Sequence, residues 1–291
     1  MTAPKARAAD WTEEQGSEER ASERRGKLGG FKRAGGAKQT LALHAEWTKL
    51  RTVASTGWLL LGAAALTVGV GVLVDLAATC PSGGCAADPA KLSLAGVQAG
   101  QAIVAIVAVQ TVSSEYSTGM IRVTLAAMPR RLTVLAAKAT LVAGLVLAAS
   151  AVAVLASVLA GRLILPGHGI TPALSLAHGP VLRAAAGSVL YLTLIALLSL
   201  GMATAVRESA VAIGLVLGLL YLFPVVTSVI GNQHWQRHLE QVAPMTAGLY
   251  IQATVGLKSL PLTPWQGLGV LALWTAGALT LGALVLRFRD A

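Results

Sequence analysis

Charge is what this chain has least of. Of its 291 residues only 12% are Asp, Glu, Lys or Arg, while 55% are hydrophobic and the mean hydropathy is +0.67. A soluble domain carries about 25% charged residues, so this chain cannot cover a water-facing surface and reads as a membrane protein. Cysteine is nearly as scarce. Cys80 and Cys85 are the only two, too few for a disulfide framework, and no Cys/His spacing suggests zinc. The nucleotide loop GxxxxGK[ST], whose backbone N–H groups cradle phosphates, is missing. Gly26-Lys27-Leu28 lacks both its spacing and its hydroxyl. The chain is therefore expected neither to hydrolyse ATP alone nor to be an enzyme, and no cofactor is expected. An ion-driven carrier needs ionisable groups near the middle of the membrane. Asp75 is the one acidic residue inside an apolar run, close to the run's end, and it reads as an interfacial residue. The spans are too bland for an ion-coupled carrier or an intramembrane enzyme.

Apolar length, in contrast, is abundant. Six runs approach the roughly 20 residues that a hydrocarbon core requires: 57–78, 94–113, 132–160, 181–206, 209–230 and 265–286. The fold expected is an all-α membrane protein with six transmembrane helices. Only Arg207-Glu208 separates the fourth and fifth runs, which implies a tight helical hairpin. The third run is long enough to tilt or protrude. Gly214-x-x-x-Gly218 and Ala153-x-x-x-Ser157-x-x-x-Gly161 are small-residue patterns that let helices approach closely. Gln98, Gln101 and Gln110 on the second run, with Ser188, Tyr191 and Ser199 on the fourth, either line a path or hydrogen-bond between helices. Residues 231–264 are too polar and too punctuated to span; they lie on the outer surface or dip in as a re-entrant pair.

The net charge of +10 does not indicate nucleic acid, because it sits in the first fifty residues and in short loops rather than on a folded domain. Residues 1–40 read as a disordered cytoplasmic tail, with almost no large apolar residues to offset the entropy of ordering. They do not form a signal peptide, for no apolar core follows the basic start. The tail's basic half, Lys27, Lys32, Arg33 and Lys38, is either merely solvated or attracted to anionic lipid. With this tail set aside, an N-in arrangement puts nine Lys and Arg inside against five outside. Short loops rich in Lys and Arg stay in the cytoplasm, so both termini are expected there, in the plasma membrane. Cys80-Pro81-Ser82-Gly83-Gly84-Cys85 then falls outside, where disulfides persist. It reads as a local disulfide that restricts the unfolded chain by roughly 2 kcal/mol, with two free thiols as the alternative.

Two amphipathic stretches flank the spans. In 41–55, Leu43, Trp47, Leu50 and Ala54 form one apolar stripe, with His44, Lys49 and Arg51 largely off it and Glu46 able to pair with Lys49. Such a helix suits the membrane interface. In 114–131, Ile121, Leu125 and Met128 recur on one helix face, Ser117 or Thr118 can cap the start, and Pro129 closes the end. Arg122, Arg130 and Arg131 make this stretch basic.

Glu46-Trp47-Thr48-Lys49-Leu50-Arg51-Thr52 resembles the elbow helix of actinobacterial type-2 ABC exporter permeases. Glu115, Tyr116, Gly119, Arg122, Leu125, Pro129, Arg130, Arg131 and Lys138 resemble the same family's coupling region. Arg287-Phe288-Arg289-Asp290-Ala291 is similar to its basic C-terminal ending, though Phe288 interrupts the cluster, and Met120 stands where the family would have Thr. The resemblance covers most of the chain after Thr40 and makes 41–291 the permease domain. It implies a cytoplasmic coupling helix, short external helices before the last span, and a dimer of identical or related permeases. It also implies two separate ABC ATPase subunits that bind the ATP, and export of a drug, lipid, polysaccharide or peptide. A scaffold or resistance protein of the same ancestry that no longer transports is the second reading. Membrane lipid is a partner under either.

The Lys/Arg asymmetry is open to a direct check. A reporter fused after Ala291 is expected to be active only in the cytoplasm, and one inserted at 86–88 only outside. Activity of the C-terminal fusion outside the cell contradicts this topology.

Overall fold

The computed structural model describes residues 54–78, 88–117, 131–168, 170, 174–175, 178–230 and 232–288. The tail, the elbow residues Glu46, Trp47, Lys49, Leu50 and Arg51, and the cysteines Cys80 and Cys85 lie outside the described residues. So do Gly119, Ile121, Arg122, Leu125, Met128, Pro129 and Arg130.

Within the described residues the chain is helical, without strands. Six long helices follow the apolar runs: α1 (Ala54–Ala77), α3 (Val97–Ser117), α4 (Arg131–Ile164), α5 (Gly179–Val206), α6 (Ser209–Val229) and α9 (Pro264–Phe288). All six are long and apolar enough to cross a bilayer. Hydrocarbon offers no partner for a backbone N–H or C=O, so each crossing segment must satisfy its own groups, as a helix does. Three short helices, α2 (Pro89–Ser93), α7 (Gln233–Val242) and α8 (Pro244–Leu249), fill the connections. At 34 residues α4 is ~50 Å long by helix geometry, well beyond a ~30 Å hydrocarbon core.

The bundle is organised around α5, against which α9, α3, α4 and α6 all pack. α1 lies on the far side of α3 and α4. Polar side chains of α5 turn back on their own helix: Ser188 Oγ donates to Ala184 O at 2.8 Å, and Ser199 Oγ to Ile195 O at 2.7 Å. These bonds spare a buried hydroxyl the cost of having no partner. Among the long helices, α5 and α9 pack backbone to backbone. A Cβ on Gly201 would fall 2.6 Å from the carbonyl carbon of Ala278 and 2.7 Å from Leu279 N, so the two backbones nearly touch there. One turn on, a Cβ on Gly282 would meet Thr204 Oγ1 at 2.0 Å. Thr275 Oγ1, bonded to Leu271 O of its own helix, also reaches Leu194 O of α5 at 3.2 Å.

The expected hairpin between the fourth and fifth spans is present. Arg207 takes the left-handed conformation (φ 65°), and the Glu208 carboxylate caps α6 by accepting from Ala210 N and Val211 N. The two small-residue patterns part company. Gly161 packs against Ser93 so closely that a Cβ would meet its Oγ at 1.9 Å, and Ala153 and Ser157 are buried with it. Gly214 and Gly218 have nothing within 4 Å of an added Cβ and mark no contact among the described residues.

This contrast yields a matched pair of substitutions. Gly201→Ala is expected to cost about 1–3 kcal/mol through overpacking against backbone that cannot yield. Gly214→Ala, in open space, is expected to gain up to ~1 kcal/mol from helix propensity. Thermal unfolding in detergent reads both, and equal melting temperatures would refute the close α5–α9 crossing.

Candidate functional site

Three polar residues of the spans, Gln101, Ser188 and Tyr191, gather beneath the chain that joins α6 to α9. This connection was expected on the outer surface or as a re-entrant pair, with the resemblance implying external helices. The structure divides it. α7 is amphipathic and largely exposed, as a helix at a membrane interface would be. α8 instead turns into the bundle, with Pro244, Met245, Ala247, Gly248 and Leu249 all buried, followed by Ile251 and Gln252. Three glycines make room for it. Added Cβ atoms would meet Ile251 at Gly187 (2.0 Å), the Tyr191 ring at Gly248 (2.6 Å) and Ala247 O at Gly267 (2.0 Å). Gly248 also faces Leu271, seven residues into α9 and therefore about 10 Å from its start.

The inserted turn closes a buried polar seam. Tyr191 on α5 donates its hydroxyl to Gln101 Oε1 on α3, and Gln101 Nε2 donates to Met245 Sδ on α8 at 3.2 Å. Gln252 Nε2 donates to Ser188 Oγ at 3.1 Å and to Leu94 O at 3.5 Å. Tyr191 and Gln101 are wholly buried, where an unpaired hydroxyl or amide would cost about 1–3 kcal/mol. Three elements are thus tied at one point, and α3 cannot part from α5 without breaking the Tyr191–Gln101 bond. Of the residues singled out from the sequence, Gln101, Tyr191 and Ser188 meet here. Ser199 bonds back to its own helix, while Gln98 and Gln110 have exposed side chains.

A second tie sits at the same end of the bundle. Asp88 caps α2 by accepting from Ala90 N at 3.1 Å, with Pro89 at the first helical position. The same carboxylate accepts from Thr254 N, from Thr254 Oγ1 at 2.6 Å and from Val255 N at 3.0 Å. Arg183 of α5 donates to Ala253 O beside it. The inserted turn is thereby clamped to the chain leading into α3. On its other flank Tyr250 OH donates to Glu240 Oε2 at 3.2 Å. Burial, and then the Glu240 charge and hydrogen bond, hold the Tyr250 phenol well above its ordinary pKa.

Asp75, near the end of α1, is enclosed by protein. It is completely buried, its Oδ1 accepts from Ser93 Oγ at 3.1 Å, and α2 and α4 enclose it. The physical reason is α2, a short helix that folds over the end of α1. Among the described residues no three His, Cys, Asp or Glu side chains converge as metal ligands.

At the opposite end the structure holds the two edges of the 114–131 stretch. Glu115 and Tyr116 lie in the last turn of α3, and Arg131 opens α4. The Arg207 guanidinium lies over the Tyr116 ring, 5.6 Å from its centroid, and reaches Val285 O of α9 at 3.5 Å. Lys138, two turns into α4, is buried. Sequence reasoning did not single out Asp88, Met245, Gln252 or the Arg207–Tyr116 contact. Asp88-Pro89 is a helix-start signature, but nothing local announces a partner 166 residues away.

Charge-assisted hydrogen bonds contribute about 1.5–3 kcal/mol each. Asp88→Ala is therefore expected to speed hydrogen exchange at Thr254 and Val255 at least about tenfold. Glu208→Ala at the far end should leave those amides unchanged. Undiminished protection in Asp88→Ala would show that the clamp is dispensable. No known family model and no curated protein matches this chain.

Proposed function

We propose that this chain is the membrane-spanning permease subunit of an ATP-driven ABC-2-type exporter. It pairs with a second copy or a related permease, and two separate ATPase subunits bind and hydrolyse the ATP. Both termini face the cytoplasm of a cell whose plasma membrane the six helices cross, so the 114–131 stretch faces the ATPases.

The observation that carries this reading is the attachment of that stretch to the hub of the bundle. The stretch leaves from the last turn of α3 and returns at the first residue of α4. Tyr116, at its root, is held under Arg207 in the α5–α6 hairpin, and Arg207 also touches the end of α9. A displacement of 118–130 by a partner is thus passed to α5 and α9 together. Midway along α5 the same displacement bears on Tyr191, and through it on Gln101 and the inserted α8. The seam they form is the closed position of a path, and separation of α3 from α5 opens it. The apolar face of Ile121, Leu125 and Met128 fills a groove on the ATPase, while Arg122 or Arg130 meets acidic residues at its rim.

Burying a leucine contributes about 1.5–3 kcal/mol, and Leu125→Asp also strands a charge. This variant is expected to abolish co-purification of the ATPase and export while membrane levels stay near normal. Arg122→Ala acts mainly on encounter and orientation, so its effect is smaller and depends on salt. Retention of the ATPase by Leu125→Asp at wild-type level rejects the coupling assignment and leaves an amphipathic loop lying on lipid headgroups. Retention without any measurable transport by the wild type would favour the scaffold reading.

A further inference from the structure

A groove of about 650 Å³ lies between α5, α6 and α9, on the flank of the bundle that faces the bilayer. Its walls are Met202, Leu219, Trp274, Gly277 and Leu281, with almost no polar surface. Leu273 beside it is 74% exposed and Leu281 49% exposed, so the groove opens sideways into hydrocarbon rather than upward into water. Its size falls within the roughly 300–1,000 Å³ typical of small-molecule sites.

The mouth has a different chemistry. Gln241 and Val242, the last two residues of α7, roof the groove, and Trp274 Nε1 holds Val242 O at 2.9 Å. One turn back on the same faces of α7 are Arg237 and His238. Both are exposed, and His238 stacks edge-on against His234 with ring centroids 4.5 Å apart. The only acidic residue of α7, Glu240, lies one turn from Arg237 and is engaged by Tyr250. Trp235, 62% exposed, sits on this helix as tryptophans do at the level of lipid headgroups. The mouth therefore presents an exposed guanidinium and two imidazoles beside a dry slot, with the neighbouring Glu240 carboxylate bonded to Tyr250.

We propose that this groove binds one anionic glycerophospholipid, its acyl chain between α6 and α9 and its phosphate against Arg237 and His238. A guanidinium donates strong charge-assisted hydrogen bonds to phosphate, and the apolar slot takes the chain because it is continuous with the bilayer interior. The site is independent of the transport reading, for it requires only that the six helices sit in a membrane.

The full chain is reconstituted in bilayer discs of phosphatidylcholine containing a minor fraction of phosphatidylglycerol, and the lipids retained on release are counted by native mass spectrometry. One phosphatidylglycerol per chain is expected, retained in preference to mass-labelled phosphatidylcholine at the same fraction. Arg237→Gln, on an exposed helix face, is expected to lower that preference about tenfold, the loss of one charge-assisted bond to phosphate. Gly277 has nothing within 4 Å of an added Cβ. Gly277→Phe therefore starts in open space and projects a ring into the groove, and should reduce retention of both lipids. Equal retention of the two lipids by the wild type, or unchanged retention in both variants, overturns the proposal. So does a Gly277→Phe chain that loses a dimer but keeps its phosphatidylglycerol, since a second copy would then be what covers the groove.

Discussion

The constraint on which this structure rests is that hydrocarbon offers no partner to a polar group. A hydroxyl or amide carried into the bundle is stabilised by a partner within the protein, which Ser113 and Ser157 lack among the described residues and most others find, and the ways they do so determine what can move. Where the only partner is the preceding turn of the same helix, as for Ser199 and Thr204, the group is silenced and the helix remains free to slide. Where the partner lies on another element, as in the Tyr191–Gln101–Met245 series, the bond joins helices that would otherwise meet only through apolar contact. A few such bonds govern the bundle because so little else in it is directional. They lie where α8 enters, and Asp88 with Arg183 holds the entering chain in place.

The spans themselves were legible because their signal is local. The run read at 181–206 became Gly179–Val206, and that read at 209–230 became Ser209–Val229, with the Arg207-Glu208 break supplying the turn and the cap. The second span begins at Val97 rather than Leu94, since residues 94–96 form a turn after α2, which hydropathy does not distinguish from helix. Small-residue patterns were half informative. Gly161 marks a contact and Gly214 does not, because spacing says nothing about which face meets a neighbour. The burial of α8 was beyond local reading. Pro244–Leu249 has the mild hydrophobicity of an interfacial turn, and its place depends on Gly187 and Gly267 in other helices. The burial of Asp75 likewise depends on α2 folding across α1. The elbow and coupling assignments rest on the sequence, since their central residues lie outside the described part of the chain.

On the proposed reading the two ends of the bundle divide the work. One end receives force at the 114–131 stretch and passes it through the Tyr116–Arg207 contact to α5 and α9. The other end holds the inserted α8 and the clamps that keep it seated. α5 spans both, packs against four other long helices and carries the tyrosine of the seam, so it is the element through which the ends can be linked.

The most direct measurement is a photocrosslink from position 125 in native membranes, with the adduct identified by mass spectrometry. A photoreactive amino acid replacing Leu125 is expected to yield one protein adduct whose peptides include the nucleotide-binding motifs of an ATPase. Adducts to lipid alone, at any light dose, would contradict the proposed coupling and with it the reading of this chain as the permease of an ATP-driven exporter.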